Sequence, residues 1–193
     1  MSKKKNKNNK NISYKNNRPK SNNGLSSKKP NNGKIGEMAT IKKLLEHEIP
    51  VYVPVVDTGV DLIAEFGGKF QRIQVKSSTR SNSSFTYFEL VHNKNIIKNN
   101  TVKTEHIGYS SEDIDYFSLY DINNDEVYLL ENDESRKSFN IRYEKPKNSQ
   151  IAKINNAEDY QIDNVLNMIK MGINQSDIID AAYEILNDSE DDT

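Results

Sequence analysis

Apolar residues are nearly absent from the first 32 positions, then recur with a regular period. Over residues 35–48, Met38, Ile41, Leu44 and Leu45 fall within an arc of about 120° at about 100° per residue. That pattern predicts a helix stopped by Pro50, and Glu37 lies inside the same arc. The period then shortens to two. Residues 51–54 and 60–64 read as strands, Gly67-Gly68 as a tight turn, and 70–75 as the returning strand. Residues 85–91 predict a further strand, and the polar stretch 92–111 a loop. Residues 116–120 and 126–130 predict a hairpin across Asn123-Asn124. The run Asp121-Ile122-Asn123-Asn124-Asp125 is read as its turn, because the Gly and distal Glu of an EF-hand loop are missing. Two helices, 159–171 and 175–187, separated by Gly172, come before an acidic end. The order of elements predicts an α/β domain, a central mixed sheet flanked by helices, with two helices at the C-terminal side.

Composition divides the chain further. Its 193 residues suffice for one domain with appendages, and they include no Cys, which excludes disulfides and thiolate metal sites. No apolar run approaches the roughly 18 residues of a membrane span, and no apolar core follows the basic start as a secretory signal requires. The net charge of −1 conceals an asymmetry. Residues 1–36 hold eleven of the 27 Lys and Arg and no acid, leaving sixteen bases against 28 acids in the remainder. Residues 1–32 therefore read as a disordered basic arm that cannot bury enough apolar surface to offset its ordering entropy. Its Lys3, Lys4, Lys5, Lys7, Lys10, Lys15, Arg18, Lys20, Lys28 and Lys29 suit nucleic-acid phosphates; a plain solubilising tail is the alternative. The division expected is an arm at 1–32, a main domain at 33–160, a helical hairpin at 161–187 and an acidic tail at 188–193.

Candidate chemistry concentrates in residues 57–78. Strand alternation puts Ile73 and Val75 on one face, and Arg72, Gln74 and Lys76 on the other. A hairpin through Gly67-Gly68 brings Gln74 and Lys76 back near Asp61. One carboxylate, one amide and one ammonium then converge at the sheet edge. Asp61, the Gln74 side chain and the Val75 carbonyl offer oxygens to a hard cation such as Mg²⁺. Lys76 can orient or deprotonate a water, or neutralise developing charge. Glu37, a carboxylate on an apolar helix face, needs a cation or donors; a salt bridge is its alternative role. Asp57 is a second candidate acid, or an Asx-turn residue. Ser77 and Arg80, next along the chain, suit phosphate contacts or a polar loop. The three histidines are scattered and show no ligand spacing. The helix expected at 175–187 carries Asp177, Asp180 and Glu184 and no base, so it reads as a packing cap or dimer surface rather than a DNA reader.

The ordered set of Glu37 after Gly36, Asp61 in Gly59-Val60-Asp61-Leu62, and Gln74-Val75-Lys76-Ser77 resembles the PD-(D/E)XK nuclease superfamily. It is most similar to the branch holding group I intron-encoded homing endonucleases and Holliday-junction resolvases. The resemblance covers about residues 33–130, and more weakly the residues to about 160. It implies that Glu37, Asp61 and Gln74 hold metal and that Lys76 assists catalysis. Position 74 departs from the usual acid, in the Gln-Val-Lys form of the intron-endonuclease branch, and the literal Pro-Asp pair is absent because Pro54 lies well before Asp61. The expected function is a Mg²⁺-dependent (or Mn²⁺-dependent) DNA endonuclease. A nuclease fold that binds nucleic acid or a protein without cutting is the alternative, and an interaction protein recruiting through its charged termini a third. A cytoplasmic, prokaryotic or phage setting and a homodimer are the accompanying expectations.

Overall fold

The computed structural model describes residues 30–56, 58–98, 101–144, 154–173 and 175. The arm through residue 29, Asp57, all but Gln175 of the helix expected at 175–187, and the acidic tail lie outside the described residues. In chain order the elements are α1 (Asn32–Glu46), β1 (Val51–Tyr52), β2 (Leu62–Phe66), β3 (Lys69–Ser78), β4 (Phe85–Glu89) and β5 (His92–Lys98). Then follow β6 (Thr101–Ile107), β7 (Tyr116–Asp121), β8 (Glu126–Glu131), β9 (Ser138–Arg142), α2 (Ala157–Tyr160) and α3 (Ile162–Lys170).

The main sheet runs β1-β2-β3-β7-β8. Only the β3–β7 pair within it is parallel, so the sheet is mixed, as expected. Gly67 and Gly68 have φ of +61° and +76°, and Phe66 pairs with Lys69 across them. Tight two-residue hairpin turns demand positive φ, which glycine adopts without steric cost. Ile73 and Val75 join Leu62, Ala64, Leu129 and Leu44 in the core beneath α1, and Ile162, Val165 and Leu166 of α3 belong to the same cluster. On the opposite face, Phe117, Leu119, Tyr128 and Leu130 pack with Phe88 of β4 and with Phe139 and Ile141 of β9. Both faces of the sheet are therefore covered.

Several expectations are corrected. Helix α1 begins earlier than predicted, because Asn31 caps it by accepting the Lys34 N–H at 3.2 Å. Its buried face comprises Gly36, Thr40 and Leu44, whereas Met38 and Leu45 are 59% and 57% exposed. Small residues hold that face because α1 lies almost on β3. A Cβ at position 36 would sit 2.1 Å from Ser77 Oγ, 3.2 Å from Val75 Cγ1 and 3.3 Å from Tyr120 Cβ. The Thr40 hydroxyl donates to the Gly36 carbonyl at 2.9 Å and meets Ser118 Oγ at 2.6 Å. The stretch 92–111 is not a loop, since most of it forms the β5–β6 hairpin. Strand β9 was not anticipated, although Phe139 and Ile141 alternate with exposed Ser138 and Asn140. The helix expected at 159–171 breaks at Gln161, whose extended backbone (φ −53°, ψ 129°) bridges to Tyr128.

The turn at 122–125 is held by a buried acid. Asp121 accepts from Thr86 Oγ1 at 2.6 Å, Asn124 Nδ2 at 2.8 Å, the Asn123 N–H at 3.0 Å, and the Tyr143 hydroxyl. It thus ties the β7–β8 turn to Thr86 on β4. Burial pushes its carboxyl up, but these donors outweigh burial and hold it below the usual value. Stability from a depressed carboxyl is present above its unfolded pKa and is lost as pH falls through the folded one. Urea denaturation is therefore expected to show stability falling below about pH 4, with part of that fall absent in Asp121→Asn. An equally steep fall in the variant would contradict this assignment. Gly36→Ala is expected to destabilise by about 1–3 kcal/mol through overpacking, despite alanine's higher helix propensity, as read from the urea midpoint.

Candidate active site

Strand β3 supplies most of the candidate groups. The β2–β3 ladder ends with Leu62 opposite Ile73, and the Asp61 N–H extends it by donating to the Ile73 carbonyl at 3.0 Å. Beyond that point the Asp61 side chain takes over: its Oδ2 accepts the Val75 N–H at 2.8 Å. The same oxygen accepts from Gln74 Nε2. Gln74 Nε2 also lies 3.3 Å from the Val75 carbonyl. Asp61, Gln74 and the Val75 backbone are therefore assembled at one place, with the Gln74 side chain buried.

Lys76 follows on the same face of β3. Its Nζ donates to the Val91 carbonyl at 2.9 Å and to the Tyr109 hydroxyl at 2.8 Å, and lies 4.7 Å from the centre of the Tyr109 ring. Burial pushes the ammonium below its ordinary pKa, against the pull of Asp61 and Glu89. The Tyr109 hydroxyl is pushed up to about 12, by burial first and then by the charge of Asp61. It stays protonated at neutral pH. Tyr109 stacks edge-on against Phe117 and His92, with centroids 5.5 and 4.9 Å apart.

The other candidates fall as follows. Glu37, beside the close contact at Gly36, pairs with Lys34. Among the described residues no three His, Cys, Asp or Glu side chains form a cluster able to hold a metal. Ser77 faces α1, and its buried Oγ has no hydrogen-bond partner. Arg80 pairs with Glu89 at 2.6 Å and stacks over Tyr87. A cavity of about 300 Å³ opens here, lined by Asn32, by residues 76–80 and by Tyr87–Glu89 and Val91. Asp57 and the arm's bases from Lys3 to Lys29 lie outside the described residues. Tyr109 and the Val91 carbonyl were not anticipated. No periodicity marks a tyrosine in a polar stretch, and a backbone carbonyl leaves no trace in sequence.

A family model described as PD-(D/E)XK endonuclease matches residues 26–163, well over half the chain. The chain belongs to the PD-(D/E)XK endonuclease family. Among solved structures, a bacterial homing endonuclease, I-Ssp6803I, is similar at 20% identity with a TM-score of 0.53. The match covers 73% of this chain and 93% of that one. At this identity the likeness establishes the shared fold. No curated protein matches the chain. The resemblance drawn from Glu37, Asp61, Gln74 and Lys76 thus named the correct superfamily and fold.

Proposed function

We propose that this member of the endonuclease family is a divalent-metal-dependent DNA endonuclease. In this reading Asp61, Gln74, the Val75 carbonyl and Glu37 hold Mg²⁺ or Mn²⁺, and Lys76 serves the attacking water. The observation that supports it best is the meeting of Asp61, Gln74 and Val75 beside a desolvated ammonium. The donor set suits a hard cation. The Gln74 amide nitrogen sits between two oxygens, Asp61 Oδ2 and Val75 O, where positive charge is welcome. Turning the amide over would bring a third oxygen to that place, and hard cations prefer oxygen ligands. Glu37 pairs with Lys34 on α1, whose Gly36 packs against Val75 and Ser77 on the face of β3 opposite Gln74 and Lys76, so its share in the metal set rests on the family pattern alone. A cation bound there would lower the pKa of its water and offset charge building on the phosphate.

Lys76 has a separate task. Its ammonium is held by Val91 and Tyr109, so it is oriented in advance, and burial eases its deprotonation. Such a group can accept a proton from water or stand beside the developing charge. The basic arm would add sequence-independent affinity for the DNA backbone, which the acidic remainder of the chain would otherwise repel. A second reading, a module that binds without cutting, is favoured by one observation. With Gln at 74, the described residues contain no three acidic or His side chains placed to hold a metal ion.

Cleavage of supercoiled and linear duplex DNA separates the two readings. Cutting is expected with Mg²⁺ or Mn²⁺ and none in EDTA; full-rate cutting in EDTA would exclude the metal reading. Lys76→Ala is expected to slow cutting by about 10²–10⁴-fold, and Asp61→Asn comparably, with unchanged circular dichroism. Gln74→Glu is expected to lower the metal concentration needed for half-maximal rate, whereas an inert purified protein under all these conditions would favour the binding module.

A further inference from the structure

Beyond its base at His92 and Ile107, the β5–β6 hairpin is largely exposed. It forms a two-stranded sheet of its own, hydrogen-bonded to no other described strand. Its cross-strand register runs from His92–Ile107 to Lys98–Thr101. Residues opposite one another in an antiparallel pair share a face, and successive pairs alternate. One face therefore presents Asn93, Asn95, Ile97, Val102, Thr104 and His106, and all six are exposed. This face carries amide, hydroxyl and imidazole groups near the body and two apolar side chains near the tip. Ile97 and Val102, paired with each other, are 74% and 63% exposed. The Thr104 hydroxyl donates to Asn95 Oδ1 at 2.9 Å, fixing the amide on that face. The other face adds Lys94, Lys98 and Lys103, all exposed, against the single acid Glu105.

A strand pair with no core to build has no packing reason to expose Ile97 and Val102. Three lysines against one acid are also out of keeping with a chain that is strongly acidic beyond residue 36. Together they fit a polyanion that also offers base edges and methyl groups. The major groove of B-DNA, about 12 Å wide, admits a two-stranded ribbon. Seven residues per strand reach about 20 Å, well beyond the groove's depth of about 8.5 Å. Asn suits adenine, and apolar side chains suit the thymine methyl. The ribbon is continuous with the candidate site, for β5 starts directly after Val91, whose carbonyl holds Lys76, and His92 stacks on Tyr109.

We infer that the β5–β6 ribbon enters the major groove of duplex DNA, with Asn95, Thr104, Ile97 and Val102 toward the base edges and Lys94, Lys98 and Lys103 toward phosphates. This rests on the DNA reading above and adds the element that contacts sequence. The chain has no cysteine, so Ile97→Cys gives a unique attachment point for a photo-crosslinker in the full-length protein. With random-sequence duplexes, cross-links from position 97 to DNA bases are expected. Lys94→Ala/Lys98→Ala/Lys103→Ala is expected to weaken binding of all sequences and to flatten the log–log salt slope by roughly 0.9 for each lysine that meets a phosphate. Asn95→Ala/Thr104→Ala is expected to keep the slope and to lose base preference at some positions in duplexes selected for binding. Duplex binding by the wild type, with no cross-link from position 97 and an unchanged slope in the lysine variant, would overturn the ribbon assignment and leave the nuclease reading standing. A wild type that binds and cuts no duplex would overturn both.

Discussion

The middle of strand β3, Ile73–Val75, is buried, yet it must carry polar groups, and that constraint organises the molecule. It has β2 along one edge and β7 along the other, α1 against one face and β4–β9 beyond the other. A polar side chain in such a strand is costly unless it finds a partner. Gln74 finds Asp61, and Lys76 finds Val91 and Tyr109. The Val75 N–H, left over where β2 ends, finds Asp61 as well. Asp61 reaches Gln74 and Val75 from within the β2–β3 hairpin, whereas Val91 and Tyr109 come from beyond it, so Lys76 gains its partners only when those segments pack against the sheet. The candidate site is therefore a product of the tertiary fold.

Close packing fixes where that cluster sits relative to α1. Gly36 lets the helix backbone approach Ser77, Val75 and Tyr120 at distances no side chain would allow. The Thr40–Ser118 contact joins the helix to β7, and Asp163, held by Lys43 and His47 at 2.8 Å each, joins it to α3. Glu37, adjacent to the closest contact, is thus carried on one of the best-fixed parts of the helix. Asp121 does similar work at the other side of the sheet, using neutral donors to hold a buried charge.

How much of this was legible depended on what each residue reports. The hairpin through Gly67-Gly68 could be read because only one backbone conformation closes so short a turn. The alternation of Ile73 and Val75 against Gln74 and Lys76 could be read because period two follows from strand geometry, and with it the meeting of Gln74 with Asp61, whereas Lys76 turns to Val91 and Tyr109. The buried face of α1 could be read only in part: Leu44 is buried and Ile41 packs on the core as the periodicity predicts, but Met38 and Leu45 are exposed, and the closest contacts are made by Gly36 and Thr40, whose merit is their size. The β5–β6 ribbon was missed for the opposite reason. Hydrophobic alternation signals burial, and these strands bury little, being held by their backbone ladder. The second layer at Lys76 was missed because Tyr109 lies in that same stretch.

The balance of charge in the cluster turns on position 74. A glutamate there would set a second carboxylate against Asp61 in a nearly dry location, where like charges cannot both remain ionised without a cation. Glutamine removes that conflict. Its amide N–H satisfies Asp61 and lies close to the Val75 carbonyl, so the cluster is complete in the protein alone. The cost is one negative charge fewer to attract a cation. Lys76 is affected in the same direction, for with less negative charge nearby its buried ammonium is held chiefly by Tyr109 and Val91. In the proposed reading glutamine therefore trades metal affinity for a site that stays ordered without metal, and the tyrosine beside Lys76 supplies part of what the missing carboxylate would have given.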